Sequence, residues 1–343
     1  MAILTGSLPL IPATSAARAG AGTQDNAPSV VALGGGHGLS ASLSALRLLT
    51  SELTAVVTVA DDGGSSGRLR RELGVLPPGD LRMALAALCD DTDWGRTWRD
   101  VMQHRFASRE GVQGSLDNHA LGNLLIVTLW ELLGDPVAGL QWAGALLGAR
   151  GRVLPMASVP LTIEGDVLTE VDGGLRMRRI SGQAQLAMAG SSGNVNKVRL
   201  LPEDAPACVD ALNAIELADW VILGPGSWYT SVLPHLLLPE LRDALCTTTA
   251  RRCLTMNLSN DTKETQGMSA VDHLSVIRRY APEFRVDAVI ADPSVVSDRN
   301  EFEAAVAEMG GRAFLGKVGS SSGGPVHDAL RLATAYQDMF GEF

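Results

Sequence analysis

Two adjacent carboxylates, Asp61 and Asp62, stand between a β-branched apolar run and a loop of glycine and serine. Carboxylates so placed can do two kinds of chemistry. They can accept hydrogen bonds from the hydroxyls of a ribose, or they can hold Mg2+ through hard oxygen ligands. One of them could also simply cap the next turn. The loop that follows, Gly63-Gly64-Ser65-Ser66-Gly67, argues for a ligand, because so flexible a stretch must be ordered by something. Arg68, Arg70 and Arg71 come directly after it. Arginine clamps phosphate with paired N–H groups, although at an exposed helix start it is more often only solvated.

Two further turns share this grammar. Gly34-Gly35-Gly36-His37-Gly38 follows the apolar run 30–33, and Gly224-Pro225-Gly226-Ser227-Trp228-Tyr229-Thr230-Ser231 follows the run 220–223. Glycines let bare N–H groups approach an anion, and the next helix points its positive end there. In the first turn, Gly34 and Gly36 fit the dinucleotide pattern G-x-G-x-x-G, but Leu39 stands at the third glycine. In the last, Ser227, Thr230 and Ser231 can donate to a phosphate or cap the helix. Three strand-then-glycine turns predict one crevice at the carboxyl edge of a parallel sheet. Its backbone cradle is then Gly35, Gly36, His37 and Gly38 on one side, Gly64, Ser65, Ser66 and Arg68 next to the aspartates, and Gly224, Gly226, Ser227 and Thr230 opposite.

Two other places carry candidate groups. Asp80 follows Pro77-Pro78-Gly79 and reads as the N-cap of a helix over 81–88. Arg82 then lies in the first turn, where a cation opposes the helix dipole, so it faces an anion or forms a surface ion pair. His119 and Asn123 are four apart in a helix predicted over 118–133, on one face, beside Gly122. They reach a ligand, or they are a cap and a satisfied buried histidine.

Elements must carry these groups. A strand at 30–33, a helix at 39–49 with leucines at helical spacing and a strand at 53–59 form a βαβ unit. Helices are predicted at 94–106, 118–133 and 136–147. The pattern then changes to short β-like runs between about 152 and 201, an inserted antiparallel sheet or meander. Strands at 220–223, 253–258, 286–290 and 312–318 alternate with helices at 207–217, 270–280, 301–309 and 326–339. The fold class is α/β.

The chain has 343 residues, 46% hydrophobic and 19% charged, which suits one large α/β domain over 29–343. Residues 1–28 read as a disordered extension, because the apolar stretch near the start has no preceding basic residue and is broken by Gly6 and Pro9. A net charge of −10, from 28 basic and 38 acidic residues, argues against nucleic acid as a partner. The four cysteines have no zinc spacing and fit a reducing cytoplasm. No apolar run is long enough to span a bilayer.

Several of these stretches together resemble the gluconeogenesis factor family (YvcK, also GlmR), within the superfamily of phospholactate transferases (CofD). The residues that carry the resemblance are Val57-Thr58-Val59-Ala60-Asp61-Asp62-Gly63-Gly64-Ser65-Ser66-Gly67-Arg68-Leu69-Arg70, then Pro77-Pro78-Gly79-Asp80-Leu81-Arg82, then 223–234. In motif order the similarity covers about residues 29–335. It implies a modified Rossmann-like parallel sheet with helices on both faces and the β-rich insertion in the middle. It implies a cytoplasmic regulator that binds a UDP-sugar of the UDP-N-acetylglucosamine type and links gluconeogenic carbon flow to cell-wall precursor synthesis and cell shape. The partners expected are a UDP-sugar or another nucleotide diphosphate, a regulated protein of cell-wall synthesis, and further copies of the chain. The alternative is the transferase activity of the superfamily, with Mg2+ on Asp61 and Asp62 and a deazaflavin precursor as acceptor. A nicotinamide-dependent reductase ranks below both, since the third glycine is missing. The sequence departs from the family at His37, Asn118 and Ala120, and in the loop 261–267.

Overall fold

The apolar runs pair as β1 (Val30–Gly34), β2 (Leu53–Val57), β3 (Arg152–Pro155), β7 (Trp220–Leu223), β8 (Arg251–Thr255), β9 (Ala288–Ala291) and β10 (Arg312–Leu315). They form one seven-stranded sheet in the order β10-β9-β8-β7-β1-β2-β3, and every pair is parallel. Three more strands, β4 (Thr162–Val171), β5 (Gly174–Ser181) and β6 (Asn194–Leu201), make a separate antiparallel sheet in the order β5-β4-β6. The computed structural model describes residues 27–108, 114–171, 174–190, 194–260, 262, 264–321 and 324–343. The N-terminal extension expected over 1–28 thus falls almost wholly outside the described residues.

The order has a physical consequence. From β1 the chain steps outward to β2 and β3, then returns to the other side of β1 with β7 and steps outward again to β10. The sheet's direction of growth therefore reverses between β1 and β7. At such a switch point the two following loops leave toward opposite faces, which is where open α/β sheets bind ligands. The central strands β1, β2 and β7 are buried almost throughout, as parallel strands covered by helices on both faces must be.

The helices that frame the switch point are α1 (Gly36–Leu46), α2 (Gly64–Leu73), α3 (Gly79–Leu88), α4 (Asp93–Gln103), α5 (Leu121–Leu133) and α6 (Pro136–Leu147). A seventh, α7 (Gln183–Gly190), packs on β4 and β5 of the small sheet. The leucines of α1 and α3 are buried, as are the large side chains Trp228 and Tyr336.

The β-rich middle divides in two. The run at 152 does not belong to the insertion: β3 pairs with β2 and completes the main sheet. The insertion proper is β4 to β6, and it also holds α7, whose alanine- and glutamine-rich sequence carries little periodicity to announce a helix.

Candidate functional site

The three glycine turns meet. An added methyl on Gly38 would overlap the carbonyl of Pro225, so the first and third turns are in backbone contact. A methyl on Gly35 would lie 2.6 Å from a carboxylate oxygen of Asp80 and 3.4 Å from Ser231 Oγ, and would overlap the hydroxyl of Thr58. A methyl on Gly79 would come within 3.0 Å of Asp61 Oδ2. Residues from β1, β2, α3 and the turn after β7 therefore share one small volume at the carboxyl edge of the sheet.

Asp80 lies at its centre and does not cap its own helix. The cap of α3 is Pro78, and Asp80 belongs to the first turn. Its side chain accepts from Thr58 Oγ1 at 3.2 Å and from the backbone of Gly36 at the start of α1. Gly36 has φ of 57°, a left-handed conformation that turns its N–H onto the carboxyl. Burial first, and the nearby Asp61 charge second, push the Asp80 carboxyl up to about 7. The anion position at the head of α1 is thus filled by a carboxyl group that protonates near neutral pH.

The two aspartates after β2 part company. Asp61 accepts from Gly63 N at 2.9 Å and is raised by burial, while Ser66 and Gly63 hydrogen bonds oppose the rise. Asp62 turns away: its Oδ1 accepts from Ala184 N at 3.0 Å, in the first turn of α7. The charge of Asp61 acts on Asp80, whereas Asp62, the other carboxylate expected to hold Mg2+, ties the insertion to the core through Oδ1. Among the described residues no group of three or more His, Cys, Asp or Glu is arranged around a metal.

Arg82 is buried, at 3% exposure. Its Nε donates to Asn123 Oδ1 at 2.9 Å, and its Nη1 has no partner among the described residues. Burial, and then Arg105, lower it to about 10 against the pull of Asp80 and Asp61, so it stays cationic. Gly122 makes room for it, since a methyl there would sit 2.9 Å from both Cγ and Cδ of Arg82. Asn123 Nδ2 donates to Ser65 Oγ at 3.0 Å, and Ser65 Oγ also meets His119 Nδ1 at 3.0 Å. His119 is not on the helix: Asn118 adopts φ of 59° and α5 begins at Leu121. Ser65, not helical spacing, brings His119 and Asn123 together. Burial and then Arg68 lower the His119 pKa, so the ring is neutral at pH 7.

These strands, turns and side chains can be compared with known proteins. The profile of the family described as 2-phospho-L-lactate transferase CofD matches residues 30–309. A putative gluconeogenesis factor of Mycobacterium leprae is 50% identical over 311 residues, covering 90% of this chain and 85% of that one. The chain belongs to the gluconeogenesis factor family, within the CofD superfamily. The gluconeogenesis factor of Halalkalibacterium halodurans is 38% identical over 79% of each chain. A solved UPF0052 family protein from Bacillus halodurans superposes with a TM-score of 0.79 at 32% identity, over 91% of this chain and 99% of that one.

In this gluconeogenesis factor family member the third turn is held by its own neighbours. Gly226 N donates to Asn257 Oδ1 at 2.8 Å, and Asn257 Nδ2 donates back to Gly226 O at 2.8 Å. Tyr229 N donates to Glu264 at 3.1 Å, and the Thr230 hydroxyl donates to the same carboxylate at 2.5 Å. Gly226 and Thr230 therefore spend these donors inside the protein, and Ser227 and His37 stay exposed at the rim. Arg68 donates to the carbonyl of Asp117. Asn257 and Glu264 act here although neither is among the expected ligand residues. Asn257 was visible as the last polar residue of the run after β7; Glu264 sits in a polar loop with no periodicity. Asp261 and Lys263 of that loop lie outside the described residues. No described helix is long and apolar enough to cross a membrane.

Proposed function

We propose that this gluconeogenesis factor family member binds a nucleotide diphosphate-sugar of the UDP-N-acetylglucosamine type at the β1–β7 switch point. In this reading it works as a cytoplasmic regulator that links gluconeogenic carbon flow to cell-wall precursor synthesis and cell shape. One observation carries the ligand class: the buried Arg82, whose Nη1 has no partner among the described residues, next to the meeting point of the turns. A buried guanidinium with an open donor costs free energy unless an anion completes it. A diphosphate supplies that anion, and Asn123 fixes the guanidinium plane that receives it. The exposed Ser227 and His37 at the rim remain for sugar hydroxyls or the polar edge of the base.

Isothermal titration with UDP-N-acetylglucosamine tests the reading. Binding in the wild type, weakened by about 1.5–3 kcal/mol in Arg82→Met, is expected for a hydrogen bond to a charged group. No binding at millimolar ligand, with GDP or NAD bound in its place, rejects it.

The second reading, a transferase on a deazaflavin precursor, is favoured by the pairing of Asp61 with Asp80. Two carboxyls near enough for the charge of Asp61 to raise the pKa of Asp80 form an oxygen donor set that suits Mg2+. When bound there, the ion would neutralise diphosphate charge. Turnover of a phosphorylated donor, abolished by Asp61→Asn, distinguishes it from pure binding.

A further inference from the structure

A cavity of about 430 Å3 lies between α2 and the inserted sheet. None of Asp61, Asp80, Arg82, His119 or Asn123 lines it. Its walls come from two parts of the chain: Asp62, Arg70 and Arg71 from the loop and helix after β2, and Thr162, Ser181 and Ala184 from the insertion. The only charged groups among the lining residues are two arginines and one aspartate, a formal +1.

Arg70 is the telling residue. Its Nη2 donates to Thr162 Oγ1 at 2.8 Å, and its Nη1 is buried without a partner among the described residues. Because the Thr162 oxygen accepts from Arg70, its own hydroxyl proton is free to donate. Among the described residues Arg71 reaches only a backbone carbonyl, that of Asp62, at 3.4 Å. Asp62 meanwhile spends Oδ1 on Ala184 N, which reduces its repulsion of an incoming anion. The guanidinium groups of Arg70 and Arg71 and the hydroxyls of Thr162 and Ser181 bring donors from two parts of the chain to the cavity's lining. That is a match for a tetrahedral oxyanion.

We infer that this cavity is a second anion site, for the phosphate group of a small phosphorylated metabolite, separate from the nucleotide site at the switch point. A phosphate there ties α2 to the insertion through Arg70 and Ser181. Asp62 lies on the cavity wall and is the immediate neighbour of Asp61, so occupancy also bears on the loop after β2. The coupling runs both ways, as linkage requires. The inference stands on the cavity itself and does not need the nucleotide-sugar reading to be right.

Inorganic phosphate is the probe. Titration calorimetry of the full chain, at constant ionic strength with chloride as the control, should show binding to the wild type. Arg70→Met should weaken it by about tenfold or more, the loss of one charge-assisted hydrogen bond. Saturating UDP should leave phosphate binding in place, whereas a single shared site would abolish it. Should Arg70→Met fail to fold, Thr162→Val and Ser181→Ala must each weaken phosphate binding. Absence of phosphate binding to the wild type, displacement by UDP, or unchanged affinity in these variants overturns the inference. Failure of UDP-N-acetylglucosamine to bind, with phosphate still held by Arg70, would remove the nucleotide reading alone.

Discussion

Asp80 shows what a residue's neighbours can do that its sequence position cannot. After Pro-Pro-Gly it has the look of a helix cap, and local rules favour that reading. In the fold it faces Thr58 and Gly36, from two other strands' loops, and only tertiary contact could reveal that. Arg82 was more legible, because a cation in the first turn of a helix runs against the dipole and needs a reason. The unusual carboxyl gives a pH prediction. Burial and Asp61 raise Asp80 to about 7, so below that pH it is a neutral donor, and above it an anion at the head of α1. A dianionic diphosphate is repelled by the second state and not by the first. Affinity for UDP-N-acetylglucosamine should therefore fall as pH rises through 7, by up to about tenfold per pH unit for one linked proton. Asp80→Asn should flatten that profile while keeping the low-pH affinity. Titrations at a series of pH values check it, and an unchanged slope in the variant removes Asp80 from the ligand's surroundings.

At the scale of elements, the parallel strands were readable because buried strands of this kind are short apolar runs that end in glycine. The third helix predicted, 136–147, coincides with α6, where Asp135 caps the helix and Gly148 ends it in a left-handed conformation. What failed were elements defined by contact. The join of β3 to the main sheet depends on a partner nearly a hundred residues earlier, and β4 alone reads as two short runs, at 159–163 and 167–171, because Gly165 and Asp166 interrupt the apolar pattern. The turn after β7 is a π turn, Trp228–Val232, a geometry with no propensity signature and a common one at functional sites. The packing of turn on turn makes its own prediction. Gly38→Ala would drive a methyl into the Pro225 carbonyl and Gly226 Cα, which are backbone atoms that cannot rotate away. A loss of roughly 1–3 kcal/mol, typical of overpacking, is expected. Urea unfolding measures it, and the same variant should lose ligand affinity because the first and third turns are pushed apart. Full stability in Gly38→Ala would mean that the two turns do not touch in solution.

Across the whole molecule, the strand order with its reversal beside β1 was not written in any one segment; the three glycine turns pointed only to a crevice at the carboxyl edge, and their meeting is what the sheet order produces. The same burial that builds this core sets how the protein meets acid. His235 is fully buried below β2, its Nε2 3.1 Å from the Val56 carbonyl, and burial lowers its pKa to about 4. The unfolded chain takes up that proton near pH 6.5, while the folded chain refuses it until about 4. Stability from His235 is therefore fully present above 6.5 and is lost as pH falls toward 4, by about 3 kcal/mol over that window. His273 and His327 are lowered as well, also by burial, and act in the same direction. Asp80 and Glu264 oppose them, since raised carboxyls bind protons more readily in the folded state and gain stability as pH falls toward 4. The balance can be separated by mutation. Replacing His235 with Gln removes only the histidine term, so the wild type should lose more unfolding free energy than His235→Gln between pH 7 and pH 5. Denaturant midpoints at the two pH values decide it: equal losses would mean that the fold leaves the imidazole's proton affinity as it is in the unfolded chain, and a smaller loss in the wild type that the fold holds it as a cation against the Val56 carbonyl.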